Sequence, residues 1–492
     1  MLPINVGGHA AYQELVVSQL REYYPDTDTI PESAWYIAEQ FFLLDLSYVD
    51  ELLKGAYSIF GPEPRLPSDM IRTYLVSLKF KVTSYTDWAM QLKLNPFYTI
   101  ISGFVVGDTP GVGTFYDFNK RLWENDFKQL NPHEKFKKTK AKPPNKNGTK
   151  AESTEKETVE SLLESYQRDE LQIEIPFSRL YDVFQHSFLR QSVQRNLIDM
   201  DSLKIAGDGM PVVTSARERK KRICNCIDDN IYNCQCKRYF SQPDCDVGWD
   251  SSRECFYHGY DCYTLTAPCS DNDLPIFALL HPASRHDSIG FIHTWFAMKH
   301  VLSDTSVNKL LLDAAHDAMP IYEYCRDKRI TPFIDLNEKR GIKVKYKDDF
   351  TVGEDGIPVC KAGLKMKPDG VEYKKYRAKF RCPKYNQQHG CRCNDPCSDK
   401  PKRTVHLALK DNPRIFNIPP RNSEKWKTEY NARTSAERNN KRQKIDYKLE
   451  DGKHRSTREW YCRLYSIMML QHLDAWDLPF TSTIRTRIAQ AA

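Results

Sequence analysis

Five polar side chains late in the chain have the types and spacing of a site that handles polyanions. In Tyr430-Asn-Ala-Arg433-Thr-Ser-Ala-Glu437-Arg-Asn-Asn-Lys441-Arg-Gln-Lys444 they fall at offsets 0, 3, 7, 11 and 14. At about 100° per residue they would share one helical face, within an arc of roughly 80°. Read alone, the segment is a solvated charged helix with i, i+4 pairs. Read for chemistry, one carboxylate between cations can hold a metal ion while Arg and Lys grip phosphates. Two further carboxylates follow apolar runs: Asp208 in Leu203-Lys-Ile-Ala-Gly-Asp-Gly, and Asp313 in Lys309-Leu-Leu-Leu-Asp-Ala-Ala-His-Asp317. Carboxylates at strand ends plus one on a later helix form the hard oxygen environment that suits Mg²⁺ or Mn²⁺. A pair of such ions serves phosphodiester chemistry.

The spacing Tyr-x2-Arg-x3-Glu-x6-Lys at Tyr430, Arg433, Glu437 and Lys444 resembles the motif of the DDE transposases of bacterial insertion sequences. Gly207-Asp208-Gly209 looks like that family's first catalytic Asp, and Asp313 like its second. One departure is visible: Ala315-His316 stands where the family often has Gly-Tyr, which leaves Asp317 as an alternative. Asp313 is preferred because it ends the apolar run. The resemblance covers most of the chain from about Leu197 to Asp477. It implies that Asp208, Asp313 and Glu437 are catalytic and hold two Mg²⁺ or Mn²⁺ ions. It further implies that Tyr430, Arg433, Lys441 and Lys444 contact DNA. The implied partners are transposon terminal inverted repeats and target DNA, with a homodimer on paired ends. A structure-selective nuclease on the same fold, or a zinc-stabilised DNA-binding protein without activity, are the rival readings.

The chain has 492 residues, enough for two or three domains, with 40% apolar and 28% charged residues. Its net charge of +7 is modest but clustered, over Glu134 to Lys150, over Arg217 to Arg222, and at Arg438, Lys441 and Arg442 around Glu437. Such runs suit a phosphate backbone. No stretch approaches the roughly 18–20 apolar residues of a membrane span. Met1 to Gly8 lacks the pattern of a secretory signal, so a cytoplasmic, reducing setting is expected, which the resemblance makes bacterial. In that setting fifteen cysteines argue for metal rather than a disulfide framework. Cys224, Cys226, Cys234, Cys236 and Cys245 form one cluster, and Cys382, Cys391, Cys393 and Cys397 a second. Both suit structural Zn²⁺, but their Cys-x-Cys spacing does not single out four ligands.

The elements that must position these groups follow from periodicity. Residues 1–130 read as an all-α N-terminal domain, which the resemblance makes DNA-binding. Glu32 to Lys54 forms one helix, Ser68 caps a second and Ser84 begins a third. Residues 131–170 read as a flexible basic and polar linker. Residues 171–340 carry strands at Leu203–Ala206, Tyr260–Ala267, Pro275–His281, Lys309–Leu312 and Pro332–Leu336, and a helix from about Ser288 to Leu302, with a Cys-rich insertion at 214–250. That order is α/β, a ribonuclease-H-like core, as the resemblance also implies. Residues 341–420 alternate and carry Asp-Gly turns, a β-rich insertion. Residues 421–492 hold the Glu437 helix and a covering helix over Ser456 to Leu473. His281, His286 and His316 lie near the catalytic segments and read as structural or phosphate-contacting. Trp249, Trp295 and Trp426 are the tryptophans that could include one stacking on a base, though core packing is the simpler reading of each.

Overall fold

A computed structural model describes residues 8–124, 158–216 and 221–490, with breaks at 59, 62, 223, 237, 240–241, 269–271, 338–343, 348–349, 354–355, 387–389, 392, 395–403, 422, 453 and 477–482. Residues 131–157 of the linker expected over 131–170, residues 217–220 of the basic run from Arg217 to Arg222, and Cys397 lie outside the described residues, as does the side chain of Cys391.

The chain opens with helices α1 (Gly8–Tyr23), α2 (Glu32–Leu43), α3 (Ser47–Leu53), α4 (Pro67–Lys79), α5 (Tyr85–Leu94), α6 (Pro96–Ile101) and α7 (Val112–Arg121). The single helix expected over Glu32 to Lys54 is two, because Leu44-Asp45-Leu46 turns the chain and Asp45 accepts from the Ser47 N–H at 2.8 Å. Ser84 caps α5 as expected. Ser68 does not cap: α4 starts at Pro67, whose missing N–H suits the first helical turn, and Ser68 binds Asp50 from inside it. The buried residues of α4 surround it on all sides, so it is the centre of this layer. Next come α8 (Val159–Gln167), α9 (Ser178–Phe184) and α10 (Arg190–Gln194). The stretch expected to be linker thus ends in a helix, started by a Thr158–Ser161 capping box. Tyr166 stacks on Phe296 and ties it down.

The mixed α/β centre is a six-stranded sheet. Strand β1 (Leu203–Val213) is followed by a two-residue hairpin, β2 (Lys221–Arg222) and β3 (Arg238–Tyr239), and then by β4 (Asp246–Asp250), β5 (Cys255–Ala267), β6 (Leu274–Pro282), β7 (Val307–Leu312) and β8 (Thr331–Ile334). The main order is β4-β5-β1-β7-β8, with β6 beside β4 on the outer edge of β5. β1, β5 and β6 are antiparallel, whereas β7 and β8 run parallel to β1. Helix α11 (Asp287–Val301) packs on one face, with Gly290 against Tyr263 and His281. α12 (Met319–Asp327) links β7 to β8.

Beyond β8 lie β9 (Val344–Lys347), β10 (Phe350–Val352), β11 (Pro358–Cys360), β12 (Lys367–Glu372), β13 (Arg377–Arg381), β14 (Tyr385–Asn386), β15 (Gly390–Cys391) and β16 (Thr404–Ala408). These small antiparallel sheets are the β-rich segment expected over 341–420. They enclose their own apolar cluster around Phe350, Phe380, Leu407 and Phe416. The chain then returns to the sheet through α13 (Glu424–Asn431), α14 (Thr434–Lys441) and α15 (Thr457–Ala475), and closes with α16 (Thr483–Gln490) against α1 and α2. α15 is capped by Ser456 and buried almost throughout. One apolar cluster runs continuously from the N-terminal helices through α15 to the sheet. Among the described residues no helix is long and apolar enough to cross a membrane.

Candidate active site

Asp208 does not end its strand. β1 runs 11 residues through it, changing partner at that point: it pairs in parallel with β7 as far as Ala206, then continues antiparallel along β5. The flanking glycines have a packing role. A Cβ on Gly207 would lie 2.7 Å from the Tyr263 hydroxyl, and one on Gly209 would lie 2.8 Å from the Asp261 carboxylate. Both contacts are sterically forbidden, so glycine lets β5 side chains cross under β1 while Asp208 points to the other face.

Asp313 caps a short 3₁₀ turn directly after β7 and accepts from the Ala315 N–H. Ala206 and Leu311 are register partners, so alternation sets Asp208 and Asp313 on the same face of neighbouring strands. Asp317, the alternative, is fully buried and paired with Arg414 at 2.7 Å while accepting from Tyr322 and the Asn337 N–H. That is a structural ion pair, and Asp313 is the residue beside Asp208.

The two carboxyls are driven apart electrostatically. Burial first, and then the charge of Asp313, push Asp208 up to about 7. Burial also raises Asp313, but His316, the Ala315 N–H and Arg433 outweigh it and hold Asp313 below the usual range. His316 Nδ1 lies 2.5 Å from Asp313 Oδ1, and its Nε2 lies 2.8 Å from the Tyr263 hydroxyl. A carboxylate only accepts, so Nδ1 carries the proton and Nε2 accepts from Tyr263.

Helices α13 and α14 roof this pair on a small apolar pad of Ala206, Leu311, Phe333, Trp426 and Ala436. Lys204 of β1 and Lys309 of β7 both bind Glu429 of α13, at 2.8 and 2.6 Å. Asn440 of α14 donates to Asp208 Oδ2 at 3.0 Å. Glu437, one turn earlier on α14, is about half exposed and accepts from Arg433 Nη2 at 2.7 Å. Arg433 lies over the Tyr430 ring, which stacks on Trp426. Tyr430 is pushed up to about 12, first by burial and then by Asp335.

The single helical stripe expected from Tyr430 to Lys444 is broken. α13 ends at Asn431, α14 begins at Thr434, and a π-helical turn occupies Arg442–Asp446. That wider turn rotates Lys444 off the Glu437 face. Its ammonium donates to the Pro211 carbonyl at 2.9 Å and lies 3.3 Å from Glu450, largely buried. The neighbouring cations are also engaged: Arg438 binds Asp273 at 2.6 Å, and Arg442 holds the Asp273 carbonyl at 2.8 Å. Lys441 is exposed. Of the expected DNA contacts, Lys444 is thus a clamp that fastens this segment to the sheet, Arg433 is bound to Glu437, and Lys441, among the described residues, is free of such a clamp at the surface.

The remaining expectations sort by burial. His281 is buried against Thr294, burial holding it well below its usual range, and His286 caps α11. Trp295 and Trp426 are buried, whereas Trp249 is 54% exposed and lies edge-on to Phe256. His316, expected to be structural or phosphate-contacting, is the partner of Asp313, whereas Asn440, Asp261 and Asp287 are neighbours of Asp208 that reading by motif missed. Asn440 follows Glu437 by three residues, and helical spacing would have pointed to it.

A second group of ligand atoms gathers outside the sheet. The Sγ atoms of Cys224, Cys226, Cys234 and Cys236 all lie within 4.8 Å of one another, an arrangement that can hold a metal such as zinc. Cys245, expected with them, is buried instead beside Thr214 at 3.4 Å, because β4 carries it into the sheet edge. In the second cysteine cluster Cys382 is buried behind β13. Among the described residues these four thiols are the one group of three or more Cys, His, Asp or Glu drawn so close. The oxygens of Asp208, Asp313 and Glu437 are not: Glu437 is turned toward Arg433.

Comparison with known protein families finds no match for this chain, and comparison with curated proteins finds none either.

Proposed function

We propose that this chain is a DNA transposase of the DDE class, cleaving the ends of an insertion sequence and joining their 3′-hydroxyls to target DNA. The observation that carries the reading is that Asp208 on β1 and Asp313, directly after the neighbouring β7, fall on one face beneath the helix that bears Glu437. The strand order supports a ribonuclease-H-like core, with three antiparallel strands followed by two parallel ones on the far side of the first.

The donor set fits hard divalent ions such as Mg²⁺ or Mn²⁺. Two partly buried carboxylates share one face, and burial, followed by the charge of Asp313, pushes Asp208 up to about 7 despite Arg433 and His316 nearby. Such ions supply activation of an attacking oxygen and neutralisation at a leaving 3′-oxygen. Asp208 and Asp313 fix the strand-borne half of the site, and Asn440 orients Asp208. His316 holds Asp313 in one rotamer and, with Arg433, favours its ionised form. Glu437, now bound to Arg433, would be the third carboxylate to hold such ions, and Arg433, lying over the Tyr430 ring, would then be available to a phosphate. Lys441, exposed on the same helix, meets the DNA backbone; Lys444 acts by holding the helix.

The test uses a plasmid carrying the coding region with its flanking DNA. The full chain is expected to cut at inverted repeats bordering the coding region in Mg²⁺ and to join the released ends to a second DNA. Cutting without joining would indicate a nuclease. Binding without cutting would indicate a DNA-binding protein, and either result overturns the proposal.

A further inference from the structure

The segment from Cys224 to Cys236 is folded without a core. None of its residues is buried, and Ile227, Ile231 and Tyr232 are 47%, 52% and 62% exposed. Apolar burial, the usual source of order, is missing. Yet the segment is tightly turned: the Asp228 N–H donates to Asn225, the Asn230 N–H to Ile227, and the Ile231 N–H to Cys226 at 2.7 Å. Asn230 sits at φ 59°, a left-handed turn residue. Something other than a core must stabilise it.

Geometry identifies what. β2 and β3 pair Lys221 with Tyr239 and Arg222 with Arg238. The ladder ends there, and the turns between Cys224 and Cys236 bring the Sγ atoms of Cys224, Cys226, Cys234 and Cys236 within 4.8 Å of one another. The Sγ atoms of Cys224 and Cys234 are 3.4 Å apart, and those of Cys226 and Cys236 are 3.7 Å apart. A disulfide requires about 2.05 Å. A tetrahedron of sulfurs around a metal at about 2.3 Å has edges of about 3.8 Å. The observed separations are those of a tetrahedral edge.

We infer that Cys224, Cys226, Cys234 and Cys236 form a closed tetrahedral thiolate site for Zn²⁺ that folds the β2–β3 knuckle, with Cys245 and Cys255 outside it. Binding replaces four S–H bonds with four metal–sulfur bonds, and the protons go to solvent. No position is left open for substrate, so the site is structural. This inference does not depend on the transposase reading.

The full chain, purified without chelator, should carry one more equivalent of zinc than the double variant Cys226→Ser/Cys234→Ser. Cys255→Ser, at an exposed thiol outside the group, should match the wild type. Replacing zinc with Co²⁺ should give the visible and sulfur charge-transfer bands of a tetrahedral thiolate site in wild type and Cys255→Ser. Those bands should be absent from the double variant. The knuckle is exposed, and unchanged circular dichroism will show that the sheet survives the substitutions. Equal zinc in wild type and double variant would overturn the assignment, as would metal loss in Cys255→Ser. Disulfides joining these cysteines in protein prepared anaerobically would overturn it too.

Discussion

The carboxylate pair and the cysteine knuckle both gather anionic ligands, but they are held together by different means. Asp208 and Asp313 are forced side by side because β1 and β7 are locked in register over a continuous apolar core. Burial, and after it the charge of Asp313, is a cost that the core sustains, visible as the raised proton affinity of Asp208. The four thiols have no such support, and their convergence is intelligible only through what they bind. A site imposed by a scaffold survives loss of its metal; a site that is its own scaffold does not.

The largest expected effect separates function from folding. Glu437→Gln keeps an acceptor for Arg433 and should leave the melting temperature and the binding of inverted-repeat DNA unchanged. Cleavage should fall by about a thousandfold or more, the several kcal/mol that a lost metal ligand represents. Near-normal cleavage by this variant would remove Glu437 from the site.

Asp208→Asn should act in the opposite direction on stability. Because the fold raises Asp208 from 3.8 to about 7, stability linked to its protonation is complete below pH 4 and is lost as pH rises through 7. Metal-free Asp208→Asn, which can still accept from Asn440, should therefore be more stable than wild type at pH 8. The gain is on the order of 2–4 kcal/mol, shrinking as the pH falls toward 4. Urea melts at the two pH values check this; a destabilised variant at pH 8 would deny the repulsion.

Lys444→Ala should cost about 1–2 kcal/mol in the same melts, since it leaves Glu450 and Asp250 short of a partner. Lys441→Ala should leave stability unchanged. It should weaken DNA binding across sequences and reduce its salt slope by about one. If the two lysines exchanged these behaviours, the distinction between clamp and DNA contact would fail.

Much of this architecture is legible in the amino-acid sequence. Apolar runs locate β5 to β8, α11 and α15 within a few residues, because buried strands and a buried helix leave unbroken signals. The end of an apolar run separates Asp313, on the face of Asp208, from Asp317, which is buried against Arg414. What escapes such reading depends on tertiary partners. Gly207 and Gly209 read as strand breakers but serve the side chains of β5. Periodicity carries a regular helix through Arg442–Asp446, where the backbone widens and Lys444 turns inward. The four clustered cysteines cannot be chosen by spacing, because the turns between β2 and β3 gather them while Cys245 is buried beside Thr214.

The central claim is that Asp208 and Asp313 form a seat for hard divalent cations. Calorimetric titration of Mn²⁺ into the full chain, with zinc already in place, tests it most directly. Wild type should bind Mn²⁺ saturably, and the Asp208→Asn/Asp313→Asn variant should give only dilution heats while keeping its zinc. Equal Mn²⁺ binding by both proteins, or none by the wild type, would contradict the account.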